Sequence, residues 1–182
     1  NIYYVNKSKL TKFSGVNGDV LWEKEFAQSI WNMKVDNDNN LIIVIDGELH
    51  KYNSNGTRVW RLTIKSGSLY AGLDIDKFNN IYMADDSKLN KITSNGKLEW
   101  TSEQGASRYV SVGLDNYIYT AQYGGVNKYT TEGELVWTKY DDFKEVKSSK
   151  IRGIQSIDGG VIAYYNVSKT WSGHYGIKTY DN

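Results

Sequence analysis

The side chains best suited to binding chemistry fall near the carboxyl end of the chain. Two stretches, 139–150 (KYDDFKEVKSSK) and 166–174 (NVSKTWSGH), combine carboxylates, lysines, a histidine and an indole. An aromatic face stacks on the apolar C–H surface of a sugar or a peptide, while polar neighbours bond hydroxyl or amide groups. These residue types predict a platform for a protein or glycan ligand. Its predicted members are Asp141, Asp142, Phe143, Tyr165, Lys169, Trp171 and His174.

Catalytic motifs are scarce by comparison. The chain has two histidines, and His174 is the only plausible general base, because His50 sits between strand residues and is expected to be solvated. No nucleophile elbow, P-loop or dinucleotide fingerprint occurs. Without cysteine there can be no disulfide and no thiolate zinc site. We therefore expect a protein that is not an enzyme and that carries no cofactor or metal.

The acidic stretch 36–40 (DNDNN) resembles the opening of a calcium-binding loop, where carboxylates at alternate positions converge on the cation. Such a loop closes with a bidentate glutamate at its twelfth position, which here is Gly47. Asn and Asp are also common in tight turns, because they tolerate the left-handed conformation and cap their own backbone. The turn interpretation is favoured.

The overall composition excludes several classes of protein. The 182 residues include 22 Lys and Arg against 21 Asp and Glu, so the chain lacks the basic excess typical of nucleic-acid binders. No apolar run approaches the roughly 18 residues of a membrane span. Aromatic residues make up 14% of the chain, which argues against disorder. We expect one domain over residues 1–182, with neither nucleic acid nor membrane as a partner.

A repeat positions these side chains. Four Gly-x-x-x-Trp units recur, with tryptophans at intervals of 38, 40 and 37 residues. Each follows a stretch such as LTKF, LHKY, LNKI or VNKY, and a fifth, incomplete copy begins at Val161. The glycine and tryptophan pairs are Gly18/Trp22, Gly56/Trp60, Gly96/Trp100 and Gly133/Trp137.

Each repeat is read as four short antiparallel strands. Alternating and β-branched runs are typical of strands, and the Asn-Gly pairs at 55–56 and 95–96 are typical of tight turns. Such units at intervals of about 40 residues predict an all-β propeller of four-stranded blades. The segment 22–34 could pass for an amphipathic helix, but the repeat phase predicts strands there. The predicted repeats are 1–28, 29–68, 69–106, 107–150 and 151–182, with incomplete first and last blades.

The Gly-x-x-x-Trp unit after Leu-x-Lys-Tyr is similar to the repeat of PQQ-like (quinoprotein-type) propellers. The stretch 76–85 (DKFNNIYMAD) also resembles the NHL-type repeat, as does 36–45. The resemblance implies the propeller fold, and it implies that one tryptophan of each repeat packs between neighbouring blades. It carries over no cofactor-binding residue. The tryptophans concerned are Trp22, Trp60, Trp100 and Trp137.

The incomplete ends leave three arrangements open. The strand at 151–158 could pair with the three N-terminal strands and complete four blades. Alternatively, the chain forms a five-blade arc with defective ends, or it is an excerpt of a larger propeller. Unpaired sheet edges invite pairing, so contacts between copies or with a parent chain are expected at the blade edges.

The leading functional expectation is a non-enzymatic propeller that binds a protein or glycan through the rim loops of its last repeat. Long loops on a rigid scaffold are where binding groups concentrate, although Trp171 could instead merely cover the exposed end of the last blade. One alternative is a structural segment of a larger cell-surface or virion protein of the phage-tail or adhesin type, and an extracellular location suits both. The other is a lyase or quinoprotein-like enzyme, for which Lys34, Asp74 and Arg152 are the charged inner-strand groups.

Overall fold

The chain consists of β-strands, turns and loops wherever its structure is described. A computed structural model describes residues 1–64, 71–84, 88–102, 109–122, 125–140, 149–158, 160–168 and 173–181. Within these ranges the side chains of 122, 149–152, 164–168 and 173–181 are not described. The described ranges contain 18 strands and no helix, so nothing in them could cross a membrane as a helix.

The strands form five antiparallel sheets in chain order, named here blades I to V. Blade I contains β1 (Ile2–Asn6), β2 (Lys9–Phe13) and β3 (Val20–Glu25). Blade II contains β4 (Ile30–Val35), β5 (Leu41–Ile45), β6 (Glu48–Tyr52) and β7 (Arg58–Thr63). Blade III contains β8 (Gly72–Ile75), β9 (Ile81–Ala84), β10 (Leu89–Ile92) and β11 (Leu98–Thr101). Blade IV contains β12 (Tyr109–Val112), β13 (Ile118–Gln122), β14 (Gly125–Tyr129) and β15 (Leu135–Tyr140), and blade V contains β16 (Ser149–Ile157), β17 (Gly160–Ser168) and β18 (Gly173–Asp181).

The first strands of blades II to V contact one another in sequence, β4 with β8, β8 with β12 and β12 with β16. They are the inner strands, from which each blade extends outward. Over the residues described, blade I shows no inner strand and blade V shows no outer one, so the predicted propeller with incomplete first and last blades is confirmed. In the described part of the chain, β16 pairs with β17 and not with β1, which favours the five-blade arrangement over four closed blades.

The turns repeat with the blades. Between the first and second strands of blades II, III and IV, an asparagine adopts a positive φ of 61° at Asn39, 66° at Asn79 and 61° at Asn116. Asparagine tolerates this left-handed conformation better than most residues do. The third and fourth strands shift register at the residue after the repeated lysine, for example between Lys51 and Tyr52. The same local chemistry therefore shapes each blade.

The repeated indoles join each blade to the next. Trp22 Nε1 donates to the carbonyl oxygen of Ser54 at 3.1 Å, and Trp60 Nε1 donates to that of Ser94 at 3.1 Å. Trp100 Nε1 donates to the carbonyl oxygen of Thr131 at 3.0 Å. Each acceptor lies in the turn between the third and fourth strands of the following blade. Gly56, Gly96 and Gly133 lie beneath the faces of these three indoles in the same order.

The fourth indole packs differently. Trp137 lies against the apolar cluster that joins blades IV and V, which includes Tyr119, Val126, Val161 and Ala163. Three further clusters of buried aliphatic and aromatic side chains fill the gaps between the preceding blades. The hydrophobic core is thus divided into layers between blades, and an indole lies in or beside each layer.

The glycine beneath an indole gives a direct test of this packing. Gly96 has a φ of 85°, and a Cβ there would lie 2.6 Å from Trp60 Cδ2. Gly18 has a φ of 77° and no atom within 4 Å of the same position, so Gly18→Ala is a matched control. Both changes incur backbone strain of about 1–2 kcal/mol. Only Gly96→Ala also collides with an indole, and it should lower the free energy of unfolding in urea by about 1–3 kcal/mol more. Equal destabilisation by the two changes would contradict the packing described.

Candidate functional site

One position of the repeat brings polar side chains together on the inner strands. Each inner strand has a polar residue immediately before its last residue, and this residue pairs with the second residue of the second strand of the same blade. The four residues are Lys34, Asp74, Ser111 and Ser156. The antiparallel ladder places these equivalent residues at the same level of four adjacent strands. We call the four residues the axial row.

The charged half of the axial row is an ion pair. Lys34 Nζ lies 3.0 Å from Asp74 Oδ1, with side chains 45% and 19% exposed. Asp74 Oδ2 accepts a hydrogen bond of 2.8 Å from the backbone N–H of Val112 on the next inner strand. The carboxylate is therefore held in place from both neighbouring blades, while the ammonium group stays accessible to solvent.

The neutral half of the axial row is a serine pair. The Ser156 N–H donates to Ser111 Oγ at 2.9 Å, and Ser156 Oγ donates to the carbonyl oxygen of Val112 at 2.7 Å. At the other end of the arc, Asn32 Nδ2 donates to the carbonyl oxygen of Ala71 at 3.0 Å. Every pair of adjacent inner strands is thus joined by a polar side chain. A wall whose polar groups are already positioned needs little reorganisation to receive a ligand.

This arrangement places a base and a cation side by side. A fixed carboxylate can accept a proton, and a neighbouring ammonium group can stabilise developing negative charge or return a proton. The sequence pointed to three charged inner-strand residues, Lys34, Asp74 and Arg152. The structure brings the first two into contact, and Arg152 lies on β16 with a side chain outside the described part.

The acidic stretch 36–40 forms a turn whose leading carboxylate is occupied by protein groups. Asp36 Oδ1 accepts hydrogen bonds from the N–H groups of Asp38 at 3.0 Å and Asn40 at 2.8 Å. Asp36 Oδ2 lies 3.0 Å from Asn40 Nδ2 and 2.8 Å from Lys51 Nζ. Burial alone would raise the pKa of Asp36, but the bonds from Lys51 and Asn40 outweigh it and lower that pKa. Over the described ranges, no group of three or more His, Asp or Glu residues is placed to hold a metal ion.

His50 is buried on β6, whereas the sequence suggested a solvated residue. Its Nε2 lies 3.0 Å from Glu48 Oε2, and its ring stacks on Tyr52 with centroids 6.2 Å apart. Burial lowers the pKa of His50, against the opposing influence of Glu48. The expectation was wrong because the alternation of a single strand does not show that its outward face is covered by the neighbouring blade. The apolar layer between blades I and II lies on this face of β6. It contains Phe26, from the connection between β3 and β4, and side chains from β1, β2 and β3.

The predicted platform of the last repeat lies mostly outside the described residues. This holds for Asp141, Asp142, Phe143, Lys169 and Trp171, whereas Tyr165 and His174 are described only in their backbone, on β17 and β18. The strands extend into both stretches that the sequence analysis treated as long loops, 139–150 and 166–174. In the first, β15 ends at Tyr140 and β16 begins at Ser149. In the second, the ladder of β17 with β18 extends to Ser168 and Gly173. His174 therefore lies on a strand and not in a loop.

Comparison with known proteins supports the fold. The structure of virginiamycin B lyase from Staphylococcus aureus matches with a TM-score of 0.73 and 13% identity, over 94% of this chain and 63% of that one. A streptogramin B lyase matches with a TM-score of 0.72 and 15% identity, over 96% and 62%. A protein of unknown function from Bacteroides caccae matches with a TM-score of 0.61 and 10% identity, over 97% and 71%. No protein-family model and no curated protein sequence matches the chain.

These similarities show the propeller fold, and the chain spans a little under two thirds of each lyase. They also correct the expectation that the protein is not an enzyme, because nearly the whole chain shares its fold with two proteins named as lyases. The expectation relied on the lack of a local catalytic motif. That is weak evidence on this fold, since residues such as Lys34 and Asp74 meet from different blades while lying 40 positions apart in the sequence.

Proposed function

We propose that this protein is a lyase of the propeller type and that it binds its substrate against the axial row. The observation that carries the proposal is the Lys34–Asp74 ion pair on the inner strands. Similarity to two lyases supports it at the level of the fold. On the same basis we infer that the repeat is related to the PQQ-like and NHL-like repeats that it resembles.

The ion pair suits an elimination reaction. The Asp74 carboxylate would remove a proton from a carbon next to an electron-withdrawing group. The electrons of that C–H bond form a C=C bond, and the bond from the adjacent carbon to the leaving oxygen breaks. The Lys34 ammonium group would stabilise the departing oxygen anion or donate a proton to it. Neither water nor an oxidant is consumed.

Removing the carboxylate tests this role. Asp74→Asn keeps an oxygen that can accept the Val112 N–H, but it cannot take up a proton at neutral pH. We expect the rate of cleavage to fall by at least about 100-fold, with the thermal unfolding midpoint little changed. Virginiamycin B, after which one of the two lyases is named, is the first substrate to try. Mass spectrometry distinguishes the two reactions, because the products of elimination together have the mass of the substrate, whereas hydrolysis adds one water.

Another lysine–carboxylate pair provides the control. Lys9 Nζ lies 2.8 Å from Glu23 Oε2 in blade I, and both side chains are 45% exposed. Glu23→Gln should leave the cleavage rate unchanged, because that pair lies away from the inner strands. Cleavage that survives in Asp74→Asn, or a wild-type protein that leaves virginiamycin B intact, would contradict the proposal.

A second candidate function is binding of a protein or glycan by the platform of the last repeat. Its support is that the three strands of blade V have nine residues each, against four to six in the other blades. At about 3.3 Å per residue, these strands are roughly 10 Å longer than six-residue strands. The extra ladder runs from Tyr165 to Ser168, which pairs with Gly173, and β16 begins at the same end with Ser149. The predicted platform residues adjoin these strand ends in the sequence.

Trp171→Ala tests this second function. An indole that stacks on a ligand contributes a large share of its affinity, so binding to a glycan array or to a captured protein ligand should weaken by at least about tenfold. The unfolding midpoint should stay the same if the indole serves the ligand alone. Unchanged affinity, or a loss of stability that accounts for the weaker binding, would show that Trp171 only covers the end of the blade.

A further inference from the structure

The turns between first and second strands interlock in blades II and III. The Asn37 N–H donates to Asn79 Oδ1 at 2.9 Å, and Asn79 Nδ2 donates to Asp38 Oδ2 at 2.7 Å. Asn37 Nδ2 also donates to the carbonyl oxygen of Asp76 at 3.2 Å. The side-chain amide of Asn79 is therefore satisfied by a peptide N–H and a carboxylate from the preceding blade.

Among the described residues of blades III and IV, the corresponding turns do not make this contact. Lys77 and Phe78 occupy the positions of Asn37 and Asp38, and Asn116 occupies the position of Asn79. A cleft of 470 Å³ opens here, lined by Phe78, Leu114, Asn116 and other residues of both turns. Phe78 is 69% exposed and Leu114 is 80% exposed, and because both line one cleft they form an exposed apolar patch there.

Blade IV cannot close the cleft with its own carboxylate. Gly113 occupies the position held by Asp36 and Asp76 in the earlier blades, and the Asp115 carboxylate fills the space that a side chain at position 113 would take. Asp115 Oδ2 accepts a 2.7 Å hydrogen bond from the Tyr119 hydroxyl and lies 3.3 Å from Lys128 Nζ. Burial alone would raise the pKa of Asp115, but these bonds outweigh burial, and the net effect is a lowered pKa. The carboxylate is thus committed to the interior of the blade.

We propose that this cleft binds an extended peptide segment in which an apolar residue precedes an aspartate. The peptide N–H of the apolar residue would bond to Asn116 Oδ1, and the aspartate would accept a bond from Asn116 Nδ2. These are the two contacts that Asn37 and Asp38 make with Asn79 in the blade before. The apolar side chain would lie between Phe78 and Leu114. The inference does not depend on the proposed lyase activity.

The charges around the cleft favour an acidic segment. Lys77 Nζ lies 5.2 Å from the centre of the Phe78 ring, at the edge of the cleft. The lining carboxylate of Asp76 is buried, and its oxygens accept bonds from the Phe78 and Asn80 N–H groups and from Asn80 Nδ2. A cation at the edge and a capped carboxylate in the wall make an incoming aspartate more favourable than a lysine.

The probe is a capped Gly-Leu-Asp-Gly peptide, titrated into the ¹⁵N-labelled full chain. We expect saturable shifts of the amide signals of Phe78, Leu114 and Asn116. Replacing the aspartate of the peptide by asparagine, or its leucine by glycine, should weaken binding by at least about tenfold. Absence of saturable binding, or equal binding of all three peptides, would overturn the proposal.

Two variants and a control locate the site. Phe78→Asp introduces the aspartate that blade II has at the equivalent position 38, so it should close the cleft. Peptide binding should then weaken by at least about tenfold. The thermal unfolding midpoint should stay unchanged or rise. Asn116→Gly removes the amide, tolerates the positive φ, and should weaken binding similarly. Val16→Asp places the same charge at a 97% exposed turn residue of blade I and should bind like wild type. Equal binding by all variants would overturn the proposal, as would concentration-dependent dimerisation that Phe78→Asp abolishes.

Discussion

The structure depends on the contact between the indole of one blade and the outer turn of the next. For Trp22, Trp60 and Trp100 the indole N–H bonds to a carbonyl in that turn, and the ring covers the glycine two positions further on. Each of these indoles is partly buried, so its covered face adds hydrophobic stabilisation and its N–H needs a partner where it leaves water. Glycine is favoured beneath all three indoles because of its positive φ, and at Gly96 and Gly133 a Cβ would also lie within 3 Å of the ring. The Gly-x-x-x-Trp spacing therefore joins two interfaces, since the glycine receives the indole of the preceding blade and the tryptophan contacts the following one.

A scaffold fixed in this way leaves two sets of positions free to vary. One is the axial row, where Lys34, Asp74, Ser111 and Ser156 differ from blade to blade although they occupy equivalent positions. The other is the tips of the turns, where Asn37 and Asp38 give way to Lys77 and Phe78. Both sets can change without disturbing the indole contacts or the apolar layers. Functional groups on this fold are therefore expected where equivalent residues differ most in chemistry.

The fold was predictable because the interaction that builds it recurs at a constant interval. Residues 22–34 resemble a helix when taken alone, yet β3 and β4 form there as the repeat phase predicts, because packing against neighbouring blades overrides local propensity. Predictions from the local sequence were wrong where neighbouring strands or blades determine a residue's environment. The extended ladder of β17 and β18 placed His174 on a strand, and a neighbouring blade buried His50. The ion pair of Lys34 with Asp74 depends on the angle between two blades, and the spacing of residues along the chain does not predict that angle.

Hydrogen exchange at the indole nitrogens tests the interblade contact most directly. In ¹⁵N-labelled protein under native conditions, the Nε1–H protons of Trp22, Trp60 and Trp100 should exchange orders of magnitude more slowly than those of an unstructured indole. Their rates should respond to urea with the slope of global unfolding, because opening these bonds requires separating two blades. Exchange of all three protons at the rate of a solvent-exposed indole would contradict the account.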